Sequence, residues 1–167
     1  MSTVASAEDE PEPVAPAAGP RKQRRWIYRV RVRLIRERAG RFGPSLCCAG
    51  DIVAAFGEEL AGLDREQFTC CHLDVKNRLI SREVVSIGHL TAALVHPREV
   101  FKAAILANAA SVAFVHNHPS GDPEPSRDDL ELTRRLVRAG EILGIPVLDH
   151  VVIARKGHVS IVERGGW

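Results

Sequence analysis

The sequence predicts an α/β fold, a mixed β-sheet flanked by helices behind a disordered N-terminal tail. Short apolar runs bounded by turn residues read as strands, and two longer stretches carry apolar residues at helical spacing. Strands and helices alternate along the chain, which favours α/β layers over an all-helical bundle or a β-sandwich. Of the 167 residues, 45% are hydrophobic and 26% charged, enough apolar material for one packed core. No internal repeat is present.

Residues 1–25 are rich in Ala, Pro and Glu and then in Arg, a composition expected to stay disordered. From Tyr28 to Leu34 apolar and basic residues alternate, so Tyr28, Val30, Val32 and Leu34 share one face of a predicted strand. Gly40, Gly43 and Pro44 interrupt the chain. A short helix is expected over 50–60, with Asp51 as its cap and Val53, Phe56 and Leu60 at helical spacing. Glu66 to Leu73 and Leu79 to Ser86 read as two strands joined by a turn at Asp74–Asn77. Pro97 suits the first position of a helix through Ala109. Ser111 to Val115 is an apolar run fit for a buried strand. Ser126 opens a helix to about Leu143, and Gly144 ends it. Val147–Ala154 and Val159–Val162 are the last predicted strands, with Gly157 and His158 as the turn between them.

The net charge of +2 conceals a segregation. Residues 1–20 hold four acids and no base, whereas 21–41 hold ten Lys or Arg against Glu37 alone. The stretch 21–41 is therefore a candidate for nucleic-acid contact through phosphates, with no base readout implied. Aromatic residues make up only 5%, which argues against stacking platforms for single strands. No apolar run is long enough to cross a membrane, and the N-terminus lacks an apolar signal core, so a cytoplasmic protein is expected. The adjacent pairs Cys47–Cys48 and Cys70–Cys71 are then reduced thiols without C-x-x-C spacing. Neighbours in a strand face opposite ways, so Cys70 and Cys71 are poorly placed to share a metal.

The segment most informative about chemistry runs from His116 to Asp129. His116 and His118 follow an apolar strand. Two apart in extended chain, their side chains leave one face roughly 6.5 Å apart at Cα, close enough to converge on one ion. Asp129 falls in the first turn of the next helix, where a carboxylate is electrostatically favoured. Ser126 and Asp129 also suit a capping box, and the two roles are compatible. Asp122 and Asp128 are nearby alternatives to Asp129. Asp149-His150 reads as a buried, hydrogen-bonded structural pair.

The string His-x-His-Pro, six residues, Ser-x-x-Asp resembles the metal signature of the JAMM (JAB/MPN) metalloproteases. The fuller segment His116–Asp129, with 96–121 and 148–153, resembles the RadC branch of that superfamily. The resemblance covers roughly 64–165. It implies a single JAB/MPN-like domain at 64–167, with layers similar to cytidine deaminases. Ahead of it come the 1–25 tail and a basic strand-and-helix extension at 26–63.

By that resemblance, His116, His118 and Asp129 bind Zn2+, with iron or manganese as alternatives. Ser126 steadies the oxyanion, and a glutamate upstream serves as acid and base for water in peptide or isopeptide hydrolysis. Glu66 is the first choice for that glutamate, then Glu99, then Glu83. The substrate is expected to be an unknown protein or peptide. No helix-hairpin-helix module is evident ahead of the domain, which weakens transfer of the DNA-repair label once attached to RadC proteins. A zinc deaminase needs His-x-Glu and a later Pro-Cys-x-x-Cys. Position 118 is His and the cysteine pair is missing, so that rival is set aside.

Overall fold

The computed structural model describes residues 43–88 and 95–165. The strand foreseen at 28–34, the tail and the basic stretch lie outside the described residues.

Five strands form one mixed sheet: β1 (Gln67–Leu73), β2 (Leu79–Ile87), β3 (Ser111–Asn117), β4 (Val147–Ala154) and β5 (Gly157–Ser160). Their order is β2-β1-β3-β4-β5. Only the β3–β4 pair is parallel, and the other pairs are antiparallel. The helices are α1 (Ala49–Ala61), α2 (Pro97–Leu106) and α3 (Arg127–Leu143). α3 makes the crossover that a parallel β3–β4 pair requires.

Strand alternation divides the core between the two faces of the sheet. Phe68, Cys70, Val112 and Phe114 pack with Val100, Phe101 and Ala104 of α2 and Leu132 and Leu136 of α3. Cys71, Leu73, Ala113 and Val115 pack on the other face with Ile52, Phe56 and Leu60 of α1. The two adjacent thiols thus enter different cores, as their spacing predicts. Burial pushes both thiols up, Cys71 to about 12, which keeps them in the protonated, unreactive form.

Each helix starts on a recognisable signal. Cys48 takes the cap position of α1, and Asp51 acts from inside the first turn. Its carboxylate accepts the Cys47 and Cys48 amides at 2.8 and 3.3 Å. Pro97 opens α2 as expected, with His96 Nδ1 accepting the Arg98 amide. That helix stops at Leu106, short of Ala109, because Asn108 turns left-handed at φ 51°. β3 runs two residues past its apolar core, since His116 and Asn117 still pair with Val152 and Ile153 of β4. The last hairpin turns at Arg155-Lys156, and Gly157 and His158 are strand residues paired with Ala154 and Ile153. Gly157 tolerates the φ of 137° that begins the return strand.

Gly140 sets propensity against packing. Alanine is the better helix former by about 1 kcal/mol. A Cβ at position 140 would, however, lie 2.5 Å from the Ile145 carbonyl oxygen, a backbone atom that cannot swing aside. Ile145 is tied there by its own amide, which donates to the Gly140 carbonyl at 2.9 Å. Gly140→Ala is therefore expected to destabilise the fold by at least about 1 kcal/mol in urea unfolding.

Candidate metal centre

The sheet register explains why residues far apart in sequence meet. Phe68 of β1 pairs with His116 of β3. That antiparallel register brings Glu66, two residues before Phe68, to the same end of the sheet as His118, two residues after His116, and both line one pocket. On the other flank α3 begins beside the end of β3. Ser126 caps it: its hydroxyl accepts the Asp129 amide at 3.1 Å and donates to Asp129 Oδ2 at 2.6 Å. The Ser126 amide donates to the same oxygen at 2.8 Å. The capping box is thus also the device that aims the carboxylate. The loop between is braced by an ion pair in which one Arg164 guanidinium nitrogen donates to both Glu124 carboxylate oxygens, and by a hydrogen bond from the Lys156 amide to the Gly121 carbonyl.

The three side chains converge. His116 Nε2 lies 3.0 Å from His118 Nε2 and 3.5 Å from Asp129 Oδ1. His118 Nε2 lies 3.4 Å from Asp129 Oδ2. Three ligands each about 2.1 Å from one tetrahedral cation would stand about 3.4 Å apart, so the spacing fits a single small ion. Among the described residues, His116, His118 and Asp129 form a group able to hold a metal.

Hydrogen-bond polarity makes the same point independently. The Thr133 hydroxyl donates to the Asp129 carbonyl, which can only accept, at 2.6 Å. His150 Nδ1, 2.6 Å from that hydroxyl oxygen, must then be the donor of its pair. His150 is fully buried, and burial drives its pKa well below the ordinary value, so it is neutral and its Nε2 is an acceptor. His116 Nδ1, 2.8 Å from that Nε2, is in turn the donor. Burial also lowers His116 to about 4, which leaves a bare lone pair on its Nε2. His118 Nδ1 donates to the Asp122 carbonyl at 2.9 Å, so its Nε2 is the atom turned to Asp129, which favours a proton there or a cation in the proton's place. Two imidazole nitrogens turned toward each other beside a carboxylate are a donor set for a cation.

Burial alone would raise the Asp129 carboxyl. The His118 hydrogen bond, the electrostatic influence of nearby His116 and the two Ser126 donors outweigh it and hold the group well below the usual carboxylate range. Thr133→Val keeps the shape but removes the hydroxyl that fixes both imidazole tautomers. It is expected to weaken binding of a divalent cation about 10- to 100-fold in chelator competition.

The other candidates fall into place around this centre. Glu66 is part-buried immediately before β1 and lines an open pocket with His118, Ser126, Arg127, Asp128 and Asp129. Its charge helps raise the pKa of His118, after the larger effect of the Asp129 hydrogen bond. Glu99 is exposed on α2, bonded to Lys102 and Arg98 at 2.7 and 3.2 Å. Glu83 sits in β2 opposite Cys70 and feels Lys102 and Glu99. Both therefore belong to a separate cluster. Asp122 contributes its carbonyl, and its carboxylate accepts the Glu124 amide. Asp128 lines the pocket without joining the converging group.

Asp149 and His150 are both buried, but their side chains do not pair with each other. Asp149 accepts the His150 and Val162 amides and the Ser160 hydroxyl. His150 faces His116 of the converging group. The position of Thr133, one turn after Asp129 in α3, was legible in the sequence once Asp129 was placed. Its link to His150 was not.

A profile of the RadC-like JAB domain matches residues 46–166. Among curated proteins, a UPF0758 protein of Desulforamulus reducens is 51% identical over 118 residues, 71% of this chain and 52% of its own length. One from Caldanaerobacter subterraneus subsp. tengcongensis is 54% identical over 115 residues, 69% of this chain and 49% of its own. A third, from Syntrophotalea carbinolica, is 48% identical over 136 residues, 77% and 60% respectively. The chain spans about half the length of the curated relatives it matches. Fold, signature and matched span together place this chain in the RadC-like JAB domain family.

Proposed function

We propose that the chain is a zinc-dependent hydrolase of the JAMM type that cleaves a peptide or isopeptide bond. The observation that carries this reading is the convergence of His116, His118 and Asp129 at ligand spacing. His116, His118 and Asp129 would hold the zinc, beside the pocket that His118 and Asp129 line. Bound zinc supplies a Lewis acid that brings the acidity of water near neutral pH.

Glu66, which lines the pocket with His118, would take the proton from the attacking water and return it to the leaving amine. Ser126 orients Asp129 through its hydroxyl and lines the pocket; it would donate to a developing oxyanion by turning its one hydroxyl proton from Asp129 Oδ2 to the substrate. The test is zinc content of the purified chain together with cleavage of a peptide and isopeptide panel before and after chelation. Stoichiometric zinc and chelator-sensitive cleavage support the reading, and a zinc-free, inactive protein that takes up no added zinc overturns it.

A second reading rests on the ten Lys or Arg in 21–41. It makes the chain a metal-stabilised, non-hydrolytic module that contacts DNA through that stretch. It predicts salt-dependent DNA binding that is lost on deletion of residues 1–41, and a flat salt response counts against it.

A further inference from the structure

Asn117, the middle residue of His116-Asn117-His118, contributes no atom to the converging group, yet it is only 1% exposed. Alternation along β3 turns its side chain away from the two imidazoles. Its carboxamide reaches β1 instead. Asn117 Oδ1 accepts the Gln67 amide at 2.8 Å, and Asn117 Nδ2 donates to the Arg65 carbonyl at 2.9 Å. These groups belong to the two peptide planes that flank Glu66. The second plane is held at its other end as well, because the Glu66 carbonyl accepts the Gly88 amide at 2.8 Å. Fixing the planes on both sides of a residue fixes its φ and ψ and hence the direction of its Cα–Cβ bond. Only a side chain with both a donor and an acceptor on one short stem can tie both planes from this position, and Asn has that shape.

The geometry points to Asn117 as the positioning residue that aims Glu66 into the metal pocket. One triplet of sequence then serves two parts of the site: its outer residues supply ligands through one face, and its middle residue locks the acid/base through the other. This inference rests on the role proposed above for Glu66.

The test is NMR of the full chain with 13C-carboxyl-labelled Glu, the Glu66 resonance being assigned through Glu66→Gln. Zinc is the probe, and its stoichiometry is measured in parallel. In the wild type the Glu66 carboxyl is expected to shift on zinc addition, and the Gln67 amide to exchange slowly with solvent. Asn117→Ala should still bind one zinc, lose at least about tenfold of the Gln67 protection, and lose most of the zinc-induced Glu66 shift. If Asn117→Ala does not fold, Asn117→Asp decides. It keeps the acceptor for Gln67 but faces the Arg65 carbonyl with a second oxygen, so Gln67 should stay protected while the Glu66 response falls. Either variant behaving as wild type at Glu66 overturns the positioning role alone. A wild-type Glu66 carboxyl that ignores bound zinc overturns the role of Glu66, and the positioning role with it.

Discussion

His118→Ala should abolish stoichiometric zinc binding while leaving the fold in place. Of the three proposed ligands, His118 is the one whose removal tests the centre most cleanly. Asp129 also takes part in the α3 cap, and His116 is fully buried against His150. Truncating either would confound metal loss with a lost cap or a buried void. His118 lies just past β3 with its side chain 12% exposed, so its loss opens the centre toward solvent without emptying the core.

Two ligands in place of three leave a site that competes poorly with a chelator. The readouts are zinc content after chelator dialysis and thermal unfolding with added zinc. Free zinc at 100 times its dissociation constant stabilises a one-site protein by about 2.7 kcal/mol. The wild type should show a rise in Tm of that origin, and the variant close to none. Retention of one tightly held zinc by His118→Ala would place the metal elsewhere.

How far this centre could be read from sequence depends on the distance over which each contact acts. His116, His118, Ser126 and Asp129 lie within one strand end, one stiff loop and one helix cap, so local spacing makes them candidates together, while the choice of Asp129 over Asp122 and Asp128 needs the signature or the fold. Glu66 is fifty positions upstream, and its place depends on the pairing of Phe68 with His116, which periodicity does not reveal. Glu99 therefore competes with it on local grounds, and only the fold puts Glu66 in the pocket and Glu99 on an exposed helix face with Lys102 and Arg98.

The Thr133–His150–His116 relay was missed for a related reason: its hydrogen bonds span 17 and 34 residues. A signal did exist. Adjacent residues of a strand point to opposite faces, so Asp149 and His150 had to seek separate partners. Elsewhere, local rules failed where one residue overrode its neighbours. Asn108 ends an alanine-rich helix early, and the turn at Arg155-Lys156 frees Gly157 to begin a strand.

The second large effect concerns chemistry with the metal kept. Glu66→Gln preserves the size of the side chain and the backbone bonds at Arg65, Glu66 and Gln67, but it can no longer accept a proton from water. Zinc content should match the wild type, because Glu66 is not in the converging group. Cleavage of any peptide the wild type hydrolyses should fall about 10²- to 10⁴-fold, the range for a lost general base. At 1.36 kcal/mol per tenfold this is about 2.7–5.4 kcal/mol of lost transition-state stabilisation. Glu99→Gln provides the control: exposed on α2 and engaged with Lys102 and Arg98, it should change the rate by less than about twofold. The comparison separates by function two carboxylates that the fold already keeps apart, Glu66 in the pocket and Glu99 exposed on α2. Equal rates for wild type and Glu66→Gln, with zinc bound, would remove Glu66 from the reaction and return the search to the other acids of the pocket, Asp122, Glu124 and Asp128.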